Sequence, residues 1–236
     1  MSAALGYQGR WPVLEQGLLN PELDIASYAE AFQRDGRVQI EQALRPEVAE
    51  SLHQVLSEQV PWHLAFRSRD GSQELPPEQW RGMSLQQRQQ MEQEIFRLAR
   101  EDKYQFCYFT YMMVAAYLQK RDTHLPLNRV VELVNHSSWL EPMRQITGFS
   151  DIVRANAQAT CYRAGHFLTQ HNDASAKEKR LTAYVLNLTK DWRSDWGGLL
   201  QFLDDEDCVT ETLMPKFNTI SICLLYTSDA ADDRDS

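Results

Sequence analysis

Apolar positions along the first half of the chain recur mostly at helical spacing. Asp24 can cap a helix whose face carries Ile25, Tyr28, Ala29 and Phe32, with Gly36 placed to end it. Arg37 to Ile40 then alternates polar and apolar, as a half-buried strand does. Pro46 opens a second helix with Val48, Leu52, Val55 and Leu56 on one face, and Pro61 follows its end. The stretch Arg67 to Gln79, with Gly71 and two adjacent prolines, reads as a loop. Ser84 and Gln87 form a capping-box pattern for a helix running to about Arg100, with Met91, Ile95 and Leu98 as its buried stripe. Tyr104 to Tyr111 contains five aromatics in eight residues and reads as a core element under a later sheet, with a substrate-facing aromatic wall as the alternative. A further helix is expected over Glu141 to Thr147, closed by Gly148. From Asp151 the period shortens. Runs suited to strands lie at Ile152–Tyr162, His166–His171, Leu181–Leu188, Leu199–Leu203, Val209–Leu213 and Asn218–Ile222, separated by turn residues that include Ala174–Lys179. That spacing suggests a β-sandwich or barrel braced by the preceding helices, as one domain of the α+β class.

Composition narrows the class. The chain has 236 residues, 43% hydrophobic, with six Trp and a formal net charge of −9. It has enough apolar material for a substantial core, and an anionic surface argues against a nucleic-acid partner. Four cysteines, at 107, 161, 208 and 223, show no CxxC spacing, so a reduced, cytoplasmic protein is the simplest expectation. Met1 to Gln16 show no basic segment followed by an apolar run, and Phe106 to Leu118 is too short and too interrupted to cross a bilayer. No membrane association is expected.

One constellation carries chemistry. His171 and Asp173 sit just after an expected strand, two residues apart, so their side chains should share a face. An imidazole and a carboxylate there supply two of the three ligands of the 2-His-1-carboxylate facial triad, which leaves coordination positions open for co-substrates. A turn Asp beside a strand-end His is the structural alternative. His166 should lie on the opposite face, His53 falls on a helix, and His63, His124 and His136 fall in loop-like settings; all five read as surface or structural residues.

The wider context is more specific. Cys161 to Asp173, Lys179 to Leu188, Trp192 to Phe202 and Met214 to Ile222 follow one another in an order that resembles the prolyl-hydroxylase-like branch of the 2-oxoglutarate- and Fe(II)-dependent dioxygenases. The resemblance spans about Ala155 to Ile222 and implies a double-stranded β-helix, or jelly-roll, core. It implies His171 and Asp173 as ligands of Fe(2+), and Tyr162 as the residue whose hydroxyl reaches the 2-oxoglutarate carboxylate. Tyr162 packing in the core is the alternative. Trp196-Gly197-Gly198 resembles the family's turn before a core strand, Trp192 either edges the cleft or is a loop residue, and Val185 stands where some relatives carry a Tyr. The implied cofactors are Fe(2+), 2-oxoglutarate and O2, with ascorbate in addition. The implied reaction couples decarboxylation of 2-oxoglutarate to succinate with hydroxylation of a substrate carbon. The implied partner is a prolyl residue of a protein or peptide, with free amino acids next. The segment Pro61 to Thr123 reads as a helical insert that shapes this choice.

The family pattern also requires a second His and a 2-oxoglutarate-binding Arg on later strands. No histidine follows His171, and after Arg193 only Arg234 remains. The run from Cys223 to Asp233 looks like a translated transposase-type sequencing adapter, so residues 223–236 are expected to be a non-native tail and the jelly-roll incomplete at its C-terminal strands. The expected organisation is therefore a mainly helical support region over 1–150, a partial β-helix over 151–222, and the tail. That tail carries four Asp and one Arg, hence −3 of the net charge. Two functions compete: an Fe(II) dioxygenase whose present copy is inactive, and a degenerate, non-catalytic binding module on the same fold. A cupin-like metal isomerase fits less well, because the Trp-Gly-Gly and Pro-x-x-Asn segments match the hydroxylase branch.

Overall fold

The computed structural model describes residues 11–101, 104–171, 173 and 179–225. Asn172, most of the expected turn at 174–179, and residues 226–236 of the expected tail lie outside the described residues.

Local signals set the ends of the helices. Helix α1 (Ile25–Asp35) starts where the Asp24 carboxylate accepts the Ser27 N–H at 3.2 Å, and it stops at Gly36, whose φ of 66° only glycine adopts cheaply. Strand β1 (Arg37–Glu41) follows at once, and α2 (Pro46–Glu58) begins on its proline and buries Val48, Ala49, Leu52 and Val55.

The segment expected as a loop, Arg67 to Gln79, is instead a β-hairpin followed by a short helix. Strand β2 (His63–Ser68) turns through Arg69-Asp70 into β3 (Gly71–Leu75), whose Gly71 lies opposite Ser68, and α3 (Pro77–Gly82) begins on Pro77. Asp followed by Gly at such a turn is a hairpin signal. It was masked because β3 is a polar edge strand with no buried face to give it an apolar rhythm. His63 is accordingly the first residue of a strand and not a loop residue, and its Nδ1 lies 2.7 Å from Glu74 Oε1.

Helix α4 (Leu85–Ala99) carries both halves of the capping box, Gln87 N–H to Ser84 Oγ at 3.2 Å and Ser84 N–H to Gln87 Oε1 at 2.8 Å. Of its expected stripe only Ile95 is fully buried; Met91 and Leu98 are half-buried. The aromatic run forms strand β4 (Phe106–Tyr111), which lies within a sheet and not beneath one. Three helices follow: α5 (Met113–Leu118), α6 (Leu127–Val134) and α7 (Ser137–Thr147), the last closed by Gly148 at φ 77°. α7 begins four residues before the expected Glu141, with the His136 ring accepting the Ser138 N–H.

Six strands occupy the six expected runs: β5 (Ala159–Cys161), β6 (Phe167–Leu168), β7 (Thr182–Asn187), β8 (Leu200–Leu203), β9 (Val209–Leu213) and β10 (Thr219–Leu224). Two antiparallel sheets result. One has the order β1-β10-β7, with Val38 opposite Ile222 and Ile40 opposite Ile220. Those four side chains join the core. On that side α1 packs on β1 and α7, and the Trp139 ring of α7 meets Tyr184 of β7 at 5.7 Å. The second sheet has the order β3-β2-β4-β5. β6 pairs with β4 beyond the end of β5, so β5 and β6 act as one strand interrupted by Tyr162 to His166. β8 and β9 form a separate hairpin, docked by Arg37, which ion-pairs with Glu211 and lies 4.5 Å over the Phe202 ring.

The architecture is thus mixed helix and antiparallel sheet. Residues 1–150 do more than brace it with helices, because β1 to β4 lie there and β2, β3 and β4 make up most of the second sheet. The Pro61–Thr123 insert likewise carries the strands β2, β3 and β4 besides its helices. β10 runs on through Cys223, opposite Ala183, to Leu224, opposite Thr182.

Candidate metal centre

The site grows from β4. In a strand, residues two apart share a face. Cys107, Phe109 and Tyr111 turn inward and are 2–8% exposed. Phe106 and Tyr108 take the other face with Tyr104, and there the rings form a continuous row: Tyr104 to Phe106 at 5.5 Å, Phe106 to Tyr108 at 5.4 Å, and Tyr108 to Tyr162 at 5.2 Å. Strand β4 therefore packs aromatic rings on both faces, one inside the core and one against Tyr162.

His171 stands at the end of this row, its ring 5.8 Å from that of Tyr104. The expected strand His166–His171 shrinks to Phe167–Leu168, so His171 and Asp173 lie on the chain beyond β6 and not on a strand. Their side chains still meet, with His171 Nε2 3.4 Å from Asp173 Oδ1. The loop is held by Gln105. Its backbone N–H donates to Thr169 Oγ1 at 2.9 Å, and its carbonyl accepts from Thr169 N–H at 3.0 Å and Thr169 Oγ1 at 3.1 Å. Thr169 in turn offers its carbonyl to His171 Nδ1 at 3.0 Å. A carbonyl only accepts, so Nδ1 carries the hydrogen and Nε2 is the nitrogen left to act as a ligand.

Protonation of the second ring nitrogen competes with ligation, because Nε2 then donates to Asp173. The hydrogen bond to Asp173 raises the His171 pKa against the opposing effect of burial, and the same contact lowers that of Asp173. Tyr162 is pushed well above the ordinary phenol value, first by burial and then by Tyr108, Tyr104 and Asp173, so it keeps its proton and can donate. Asp173 also helps raise Cys223 of β10, after burial. Its carboxylate is therefore felt by both sheets.

Two donors bound cis to one ion at about 2.1 Å stand about 3 Å apart. The 3.4 Å between Nε2 and Oδ1 fits that demand with a small movement, and imidazole with carboxylate suits iron. Among the described residues no group of three or more His, Cys, Asp or Glu side chains could hold a metal.

Four of the other five histidines, His53, His63, His136 and His166, have structural partners, and His124 is exposed. His166 Nδ1 accepts the Arg163 N–H at 3.3 Å and its ring meets the inward-facing Phe109 edge-on at 4.8 Å, away from His171. His53 Nδ1 bonds the Leu188 carbonyl at 2.7 Å. Trp192 donates to the Gly197 carbonyl at 2.9 Å, which pins the turn in which Gly197 and Gly198 take φ of 72° and 73°. Val185 is exposed on β7. What sequence reading passed over is the positioning pair Gln105–Thr169, which nothing local announces; the i, i+2, i+4 spacing of Tyr104, Phe106 and Tyr108 is the signal that puts these three rings on one face.

Among the described residues no helix is long and apolar enough to cross a membrane. No curated protein matches the chain. Residues 157–231, which include Tyr162, His171 and Asp173, match the family model of the 2OG-Fe(II) oxygenase superfamily, and this supports an oxygenase-type function with Fe(II), 2-oxoglutarate and O2.

Proposed function

We propose that this protein is built as an Fe(II)- and 2-oxoglutarate-dependent dioxygenase of the prolyl-hydroxylase type, with its two antiparallel sheets as parts of a double-stranded β-helix. The observation that carries the reading is the His171–Asp173 pair, 3.4 Å apart inside the segment that matches the oxygenase family. His171 Nε2 and Asp173 Oδ1 would hold the iron, and the Thr169 carbonyl would keep the imidazole in the ligating tautomer. When bound, iron with 2-oxoglutarate and O2 supplies the oxidising power to hydroxylate a substrate carbon.

The chain's own residues do the rest. Tyr162 keeps its proton and donates it in a hydrogen bond to the 2-oxoglutarate carboxylate. Tyr104 and Tyr108, backed by the buried Phe106, would offer aromatic surface beside the metal to the ring of a prolyl residue in a protein or peptide, or to an apolar free amino acid. All four cysteines are free thiols, which supports a reducing, cytoplasmic setting. Ascorbate would serve as accessory reductant.

Two protein ligands in place of three imply loose metal binding and no coupled turnover by the chain as given. Anaerobic titration with Fe(II) or Mn(II), followed by 2-oxoglutarate, tests this. The wild type should bind metal, His171→Ala and Asp173→Asn should each weaken it at least about ten-fold, and Tyr162→Phe should weaken 2-oxoglutarate about five- to ten-fold without changing metal affinity. Succinate formation matched to hydroxylated product would overturn the inactivity. Failure of the wild type to bind either metal would favour the non-catalytic binding module, a reading supported by the lack of a three-ligand group among the described residues.

A further inference from the structure

Arg67 stands beside the metal site with its charge unmatched. It belongs to β2, and the pairing of Ala65 with Tyr108 puts Arg67 on the sheet face that carries Tyr104, Phe106 and Tyr108. Its guanidinium carbon lies 5.7 Å from the centre of the Tyr104 ring, and that ring lies 5.8 Å from the His171 ring. Arg67 is exposed and Tyr104 is 41% exposed, so both are open to a ligand at the rim of the site. A guanidinium over a ring uses its flat face and leaves the N–H groups at its edge free to donate. The carboxylates nearby are already engaged. Glu74 shares the sheet face, but its Oε1 lies 2.7 Å from His63 Nδ1. Glu94 meets Arg69 at 2.9 Å and Arg97 at 2.8 Å, and Asp173 meets His171. Among the described residues no carboxylate pairs with Arg67.

A second cation adds to the local field, because Arg180 Nη1 donates to the Asp173 carbonyl at 3.4 Å. In a chain with a net charge of −9, the mouth of this site is a local exception that favours an anionic group. The two ring separations also set a reach. They place the guanidinium no more than about 12 Å from the imidazole, a span that an extended peptide at 3.3 Å per residue covers in about three residues. On the hydroxylase reading of the site, we infer that Arg67 is a specificity-determining residue that selects peptide or protein substrates carrying an Asp or Glu two or three residues from the hydroxylated prolyl. The substrate carboxylate accepts two N–H bonds from the edge of the guanidinium, in the bidentate manner that suits a planar fork. Tyr162, assigned to 2-oxoglutarate, stands at the other end of the aromatic row, beyond Tyr108, so the co-substrate and the acidic residue have separate anchors.

Fluorescence anisotropy of the full chain with labelled, end-blocked heptapeptides tests the assignment. Each peptide has a central proline among alanines, with Ala, Glu or Lys two or three residues from the proline on either side. With Mn(II) and 2-oxoglutarate present, the best Glu peptide should bind the wild type roughly three- to ten-fold tighter than the Ala peptide, and the Lys peptide should bind most weakly. Arg67→Gln should bring the Glu and Ala peptides together, and Arg67→Glu should make the Lys peptide the tightest. Both changes are at an exposed side chain, and the Arg67 carbonyl still accepts from Gln105, so the fold is kept. The affinity for 2-oxoglutarate should be the same in Arg67→Gln as in the wild type. The assignment is overturned if the wild type binds Glu and Ala peptides alike or binds neither, if the preference survives Arg67→Gln, or if that variant weakens 2-oxoglutarate instead. Metal binding is titrated in the same samples. A wild type that binds Mn(II) and 2-oxoglutarate yet treats the peptides alike sinks the substrate assignment alone, whereas one that binds no metal sinks the dioxygenase reading with it.

Discussion

His166 shows how one residue can be functionally quiet and still shape the protein's response to acid. Its imidazole is half-buried beside Phe109, and burial lowers its pKa below the ordinary value of 6.5. Arg163 pushes in the same direction, while the Cys161 carbonyl and Glu92 push the other way by less. The unfolded chain therefore takes up a proton near pH 6.5 that the folded chain still refuses. Stability from this group is complete above pH 6.5 and is lost as pH falls from there toward the lower folded value. Urea midpoints measured from pH 7.5 to 5.5 should fall less steeply in His166→Asn, whose Oδ1 can still accept from Arg163 N–H, than in the wild type. An unchanged slope would mean that another group governs the acid limb.

Among elements, the most informative junction is Gln105, 1% exposed at the entry to β4. Its Nε2 donates to the Arg67 carbonyl on β2 at 2.9 Å and to the Ile95 carbonyl on α4 at 3.3 Å, and its Oε1 accepts from Phe106 N–H. Its main chain grips Thr169, which orients His171. A single side chain thus joins a strand, a helix and the metal-site loop. Gln105→Leu keeps the volume but strands these polar partners, and chemical denaturation should show a loss of about 1–3 kcal/mol. The same variant should weaken metal binding more than an equally destabilising change remote from the site. Helix ends were legible without any such knowledge, because Asp24 with Gly36 and Ser84 with Gln87 act within a few residues of chain. The β2–β3 hairpin was not, since Ser72 to Glu74 owe their strand conformation to β2. Helix α6 was legible and missed: Leu127, Val130, Val131 and Val134 keep helical spacing straight after Pro126.

On the scale of the whole molecule, the β8–β9 hairpin is the part most loosely joined. Among the described residues its link to β1 is Arg37, through the Glu211 ion pair and the Phe202 ring, and Gln170 Nε2 ties the hairpin turn at Asp207 to the loop before His171 at 3.0 Å. Arg37→Ala removes interactions worth about 1 kcal/mol. Hydrogen exchange over residues 200–213 should then quicken roughly three- to ten-fold, with the β1-β10-β7 amides unchanged. Equal acceleration in both would show that hairpin and core unfold together.

The sequence by itself determined what depends on near neighbours. Capped helices and the six strand runs after Asp151 follow from spacing and residue type, and the family match over 157–231 covers His171 and Asp173, the pair proposed to hold the metal. Tertiary structure decided what depends on residues distant in the chain. It put β2, β3 and β4 beside β5 and β6, turned one face of β4 into an aromatic wall for the site, and drew Gln105 against Thr169 across 64 positions. Backbone hydrogen bonds and burial act through space, so a polar edge strand or a buried glutamine carries no mark of its role until its partners are in place.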